Sequence, residues 1–148
     1  MAAVLLDTNV LVYFLDPRDP ARQDRAIQIV KELGSRSAAC LSVQCLSELM
    51  NVVIHKLSPW INMNEAIQQT QLWIAAFPVY ELTSLIVLEA ARGVRDHRLA
   101  YYDAQIWATA RLNQVQVVFS EDFPDGSNLE GVRFVNPFAT GFALNLWV

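Results

Sequence analysis

The apolar positions of this chain fall into two kinds of run that alternate along its length. Short unbroken runs at residues 3–7 (AVLLD), 38–43 (AACLSV), 78–82 (PVYEL), 115–120 (VQVVFS) and 131–138 (GVRFVNPF) read as strands, most of them buried on both faces. Between them lie longer segments whose apolar residues recur every three or four positions, the mark of helices that bury one side. These are residues 9–17, 20–35, 44–57, 62–77, 83–99 and 102–114. Local signals punctuate them. Pro20 suits a first helical turn and Gly34 a helix end, Asn62 with Glu65 forms a capping box, and Thr83 reads as an N-cap. Pro17 and the Ser58-Pro59 pair stop the segments before them. No repeat, low-complexity tract or linker interrupts the alternation, so residues 1–148 read as one domain. Strands separated by helices require right-handed crossovers, which implies an α/β fold with a central, mostly parallel sheet of four to five strands covered on both faces. In such sheets ligands bind beyond the carboxyl ends of the strands.

Four carboxylates break this pattern where an ionised group is costly. Asp7 ends the first strand and Asp122, in SEDFPDG, follows the fourth, so both face the same edge of the sheet. Glu48 shares a helix face with Cys45, Leu49 and Val52, and Asp103 shares one with Ile106, Trp107 and Ala110. An ionised carboxylate on an apolar stripe is expensive unless a cation or strong donors compensate it. Each acid also has an ordinary reading. Asp7 could accept backbone N–H groups where strand turns to helix, Asp103 could be an N-cap, Glu48 could pair with Arg98 or Arg111, and Asp122 could be a turn residue. Four such coincidences at one end of one sheet point instead to a hard divalent cation held by oxygen ligands, Mg2+ or Mn2+.

Composition narrows the field further. Net charge is −4, which excludes a broadly basic nucleic-acid footprint but leaves room for a local patch or a bound metal. Of eleven cationic residues only Lys31 and Lys56 are lysines, so no lysine is expected among the acids. The 53% apolar content predicts an oligomer or an obligate complex. Cys40 and Cys45 are too few for a disulfide framework or a zinc site and read as core thiols. The opening MAAVLLD lacks a charged leader segment, and the tail FATGFALNLWV is too short to span a bilayer, so a cytoplasmic protein without membrane association is expected.

The segments LLDTNVLVYFL, SVQCLSELMNVV, LAYYDAQIWATA and VVFSEDFPDG, in that order and spacing, resemble the PIN domain, particularly the VapC-like toxins of bacterial toxin–antitoxin pairs. The resemblance implies a three-layer α/β/α sandwich and a metal-dependent endoribonuclease that hydrolyses RNA. It places the family's acids on Asp7, Glu48, Asp103 and Asp122, its hydroxyl on Ser120 and its polar residue after the first acid on Asn9; Asp125 would assist through water. Asp7 and Asp103 are the expected direct metal ligands, with Glu48 and Asp122 binding directly or through water, and Ser120 and Asn9 orienting them. The resemblance further implies a homodimer and a small VapB-like antitoxin as partner.

Two other functions fit part of the pattern. Aspartyl phosphotransfer would use Asp7 as nucleophile, but Asn9 stands where a second acid belongs and no lysine follows in a phosphate-binding place. A catalytically silent RNA-binding or assembly module is opposed by the complete acid set. Elsewhere, Arg92, Arg95 and Arg98 read equally as phosphate contacts or as a solvated face. Tyr101 and Tyr102 are expected to pack in the core rather than stack on bases, and His55 and His97 to be surface residues. Trp60 is expected at a partner contact, and the tail through Phe142, Leu144, Leu146 and Trp147 either there or folded back on its own domain.

Overall fold

The computed structural model describes residues 3–147. Its elements are β1 (Val4–Leu6), α1 (Thr8–Leu15), α2 (Pro20–Ser35), β2 (Ala39–Ser42), α3 (Val43–Val52), α4 (Met63–Ala76), β3 (Val79–Tyr80), α5 (Ser84–His97), α6 (Tyr101–Leu112), β4 (Val117–Phe119), β5 (Asn128–Leu129) and β6 (Val132–Val135). A π turn, Val53–Leu57, prolongs α3, and a single 3-10 turn, Leu144–Leu146, lies in the tail.

One sheet runs in the order β3-β2-β1-β4-β6-β5, parallel throughout except for β5. β1 lies at its centre with all three residues buried, and Leu5 pairs with Cys40 on one side and Val118 on the other. From β1 the chain builds outward through β2 to β3, then crosses back to place β4 on the opposite side of β1. The strand order therefore reverses between β1 and β4, and the crevice that opens there is where a parallel sheet presents its ligand site. With right-handed crossovers, the two directions of travel set α5 and α6 on the face opposite α1 to α4. Among the described residues no helix is long and apolar enough to cross a membrane.

The core runs through both layers, with Leu5, Leu6, Leu11, Ile29, Leu41, Leu49, Trp107, Phe119 and Phe134 fully buried. Gly93 lets α5 and α6 close on each other, since a Cβ there would stand 2.8 Å from the Trp107 ring. Helix starts follow their side chains: Asp19, Ser42, Asn62 and Thr83 each accept a backbone N–H from the first turn.

The sheet has six strands where four to five were expected. The addition is β5, two residues paired antiparallel with β6 through a turn at Glu130 (φ 52°) and Gly131 (φ 91°). α3 ends as an α-helix at Val52 rather than continuing to Leu57, because the next turn widens to π geometry. The tail folds back on its own domain, with Phe142 and Trp147 edge-on to Phe119 at 5.4 and 5.7 Å.

Candidate metal centre

Asp7 follows β1 directly, and its backbone N–H still donates to Phe119 O in β4, 3.0 Å away. Its side chain is buried, with a distinct partner for each oxygen. Oδ1 accepts from the Thr8 N–H at 2.7 Å, capping α1, and Oδ2 accepts from the Ser120 hydroxyl at 2.7 Å. Ser120, fully buried just beyond β4, is the hub of the crevice. Its Oγ also accepts from Asn9 Nδ2 (3.2 Å) and from the Asp122 N–H (3.1 Å). Asn9 Nδ2 reaches Asp122 Oδ2 at 3.2 Å as well, so β1, α1 and the loop after β4 are tied into one polar knot.

Glu48 and Asp103 approach from the helices. Glu48, half-buried on α3, is held by its neighbour one turn back: Gln44 Nε2 donates to Glu48 Oε1 at 2.7 Å and to the Tyr102 carbonyl at 3.0 Å. Gln105 Nε2 then donates to Gln44 Oε1 at 2.8 Å, so two glutamines fix α3 to α6 beside the acids. Asp103 is half-buried as the third residue of α6, whose N-cap is Ala100. The N-cap reading of Asp103 is thereby overturned.

The acids feel one another. Burial lifts the Asp7 pKa to about 7, with the charges of Asp122 and Glu48 adding to the rise and the Ser120 and Thr8 hydrogen bonds opposing it. Glu48 is raised by burial, opposed by Gln44, and further raised by Asp103 and Asp122. Asp103 is raised by burial and then by Asp122. Among the described residues none of the four acids has an arginine, lysine or histidine within 4.0 Å. Arg111, a suggested partner for Glu48, pairs instead with Glu89 (2.6 Å) and Glu130 (3.6 Å), and Arg98 terminates α5 in a left-handed conformation.

No three acidic, histidine or cysteine side chains among the described residues stand close enough to cage an ion as they are. The donor set nevertheless suits a hard divalent cation. All its ligating atoms are oxygens, and the nearby Cys45 thiol is pushed far above its ordinary pKa by burial, so it supplies no thiolate. Asn9 Oδ1 and Thr8 Oγ1 are buried without a partner beside the acids, acceptors left over for a ligand's donors.

Several residues fall differently from expectation. Tyr101 and Tyr102 are exposed, not core: Tyr102 keeps 67% of its surface and meets the Tyr101 ring edge-on at 5.4 Å. Lys56 does come near the acids, lining a groove with Asn9, Glu48 and Asp122. Arg92 and Arg95 are committed to Glu89, Asp96 and Glu130 rather than left free. His97 meets Glu130 at 2.6 Å in the same network. Asp125 Oδ1 accepts the Asn136 N–H at 2.8 Å and so braces a loop. Arg18 lies over the half-exposed Trp60 ring at 4.5 Å. Sequence reasoning missed Gln44 and Gln105, whose only signal was a second polar pair on inward helix faces.

Ser120→Ala is expected to lower stability by about 1–3 kcal/mol, because it leaves Asp7 Oδ2 and the Asp122 N–H short of a partner. A urea denaturation midpoint unchanged from the parent would contradict this account of the hub.

A mostly parallel sheet with acids near its switch point fits one class, and the sequence shows it: the PIN domain model matches residues 4–123, and the chain belongs to that family. A sequence search of curated proteins finds no match. Solved structures share the fold. A toxin–antitoxin complex from Klebsiella pneumoniae is 20% identical over 92% of this chain and 98% of its own, with a TM-score of 0.64. VapC20 of Mycobacterium tuberculosis, a sarcin–ricin loop cleaving toxin, is 18% identical over 86% and 98%, with a TM-score of 0.66. FitAcB from Neisseria gonorrhoeae is 22% identical over 90% and 97%, with a TM-score of 0.63.

Proposed function

We propose that this chain is a metal-dependent endoribonuclease and the toxin of a toxin–antitoxin pair. The observation that carries the reading is the acid set itself: burial raises Asp7, Glu48 and Asp103 from their ordinary values, and among the described residues no cation pairs with them or with Asp122. Asp7 and Asp103 would hold Mg2+ or Mn2+ directly, and Glu48 and Asp122 directly or through water. When bound, the ion supplies charge compensation to the phosphate oxygens and acidifies an attacking water.

The chain's own residues prepare that chemistry. The Ser120 hydroxyl and the Thr8 N–H fix both oxygens of Asp7 and favour its ionised form. Asn9 Nδ2 aligns Asp122, and Gln44 locks Glu48 in one orientation while screening its charge. The Ser120–Asp7 and Asn9–Asp122 bonds reach across elements, and Gln44, which steadies Glu48 within α3, is itself tied to α6, so the ligand geometry is set largely by the fold.

The toxin role draws support from the company of the fold: its solved relatives are described as a toxin, a FitAcB protein and a toxin–antitoxin complex. A VapB-like antitoxin is then the partner. A homodimer would give cover to exposed apolar residues such as Ile54, Leu85 and Leu88. The test is cleavage of RNA by the full-length protein in Mg2+ or Mn2+. Activity should vanish in EDTA and return on adding excess Mn2+, and induced expression should arrest growth. Cleavage that persists in EDTA overturns the metal-dependent reading.

A further inference from the structure

Glu48 and Val52 stand on a ridge between two open grooves. The first, about 440 Å3, is lined also by Ser47, Asn51, Leu82 and Tyr102. The second, about 290 Å3, is lined by Asn9, Lys56 and Asp122. Glu48 lines both hollows and Asp122 the second, so anything threaded through both must pass these two acids.

The first groove is built for a flat, partly polar group. Tyr102 immediately precedes Asp103, so one peptide unit sets the distance from its ring to the acids. Its carbonyl is pinned by Gln44, which holds the exposed ring at the groove rim. Leu82, also exposed, adds a second apolar lining. Ser47 and Asn51 sit one helical turn apart on α3, and neither side chain makes a hydrogen bond among the described residues. A hydroxyl and an amide each donate and accept, which suits the edge of a nucleobase. Gln44 and Gln105 line the same groove, but Gln44 is fully engaged with Glu48, Tyr102 and Gln105.

The second groove offers charge instead. Lys56 projects from the π turn, a geometry that recurs at functional positions, and among the described residues it has no acid within 4.0 Å. An exposed, unpaired ammonium beside a cluster of acids is positioned for an anion that bridges the two.

Resting on the nuclease reading, we propose that the two grooves form one track for single-stranded RNA. An unstacked base lies on Tyr102 with its edge toward Ser47 and Asn51, the scissile phosphate lies over the acids, and a neighbouring phosphate lies on Lys56. Tyr102 and Asn51 are specificity-determining residues. Lys56 contributes affinity without sequence information.

The test uses the full-length chain and its Tyr102→Ala, Tyr102→Phe, Asn51→Ala and Lys56→Ala variants on a randomised single-stranded RNA pool with Mn2+. Cut ends are sequenced and kcat/KM is measured on the preferred sequence. Tyr102→Ala should lose roughly tenfold to a hundredfold in kcat/KM and flatten the base preference beside the cut, with Tyr102→Phe restoring both. Asn51→Ala should change which base is preferred. Lys56→Ala should weaken cleavage evenly across sequences and reduce its salt dependence. An unaltered cut profile and rate in Tyr102→Ala, or equal cleavage of the same RNA as a duplex, overturns the track. Failure of the unsubstituted chain to cleave any RNA overturns the nuclease reading beneath it, a result visible before any variant is made.

Discussion

Asp7→Asn is expected to abolish or severely reduce RNA cleavage while leaving the chain folded. The side chain is buried, bonded through both oxygens and placed where β1 and β4 part, so it is the acid whose position is most firmly set by the sheet. Asparagine keeps the size and one accepting oxygen for the Thr8 N–H but removes the anionic charge. Losing one charged ligand should cost several kcal/mol of transition-state stabilisation, roughly a hundredfold to ten-thousandfold in rate. Folding should not suffer in proportion, because the substitution also removes a carboxylate that burial disfavours as an anion. Asp103→Asn should behave alike in activity. Initial cleavage rates and urea midpoints measured on the same preparations separate the two effects. Parent-like cleavage by both variants would end the proposal that these acids hold the ion.

The second large effect is the pH dependence of metal-free stability. Burial raises the Asp7 pKa to about 7 in the folded chain, against the ordinary 3.8 of an unfolded aspartate. Between those values the folded state holds the extra proton. Stability must therefore fall as pH rises from about 4 to 7, and level off above. That difference in pKa corresponds to about 4 kcal/mol. Glu48 and Asp103, also raised, act in the same direction. Surface acids such as Asp96 and Glu130 are lowered by their arginine partners, so their stabilisation is lost only on acidification, below the window in question. Urea midpoints in EDTA across that range should slope downward, and Asp7→Asn should remove most of the slope. Saturating Mn2+ should oppose the slope, because the ion favours the ionised acids that the empty fold penalises. A metal-free profile that is flat or rising between pH 4 and 7 contradicts the description of Asp7.

The parallel strands were legible by their short apolar runs, and the helices by their period and, α6 apart, by their side-chain caps. β5 was not, since its turn places Glu130 at positive φ beside Gly131, where Asn-Gly or Asp-Gly would have announced a tight hairpin. The four acids were legible as anomalies of pattern, charged groups where an apolar face or strand end leads to expect none. Their neighbours were harder. Lys56 lies two helical turns beyond Glu48 on the same side, a spacing visible in the sequence, but nothing there reports that the loop carrying Asp122 packs against that side. Tyr102 was misjudged because its exposure depends on what covers the start of α6, and no local pattern reports that. The N-cap alternative for Asp103 could not be dismissed from the sequence because α6 begins at Tyr101 with Ala100 at the N-cap position and no side-chain cap to mark it.

The bond from Ser120 to Asp7 joins residues 113 positions apart in the chain. During synthesis, β1 and its aspartate leave the ribosome early and wait through every crossover for β4 to be laid alongside. Until then Asp7 lacks its hydroxyl partner, and Asp122 does not yet exist. The crevice is thus completed among the last features of the domain, so a chain still being translated carries most of its core but none of its finished chemistry.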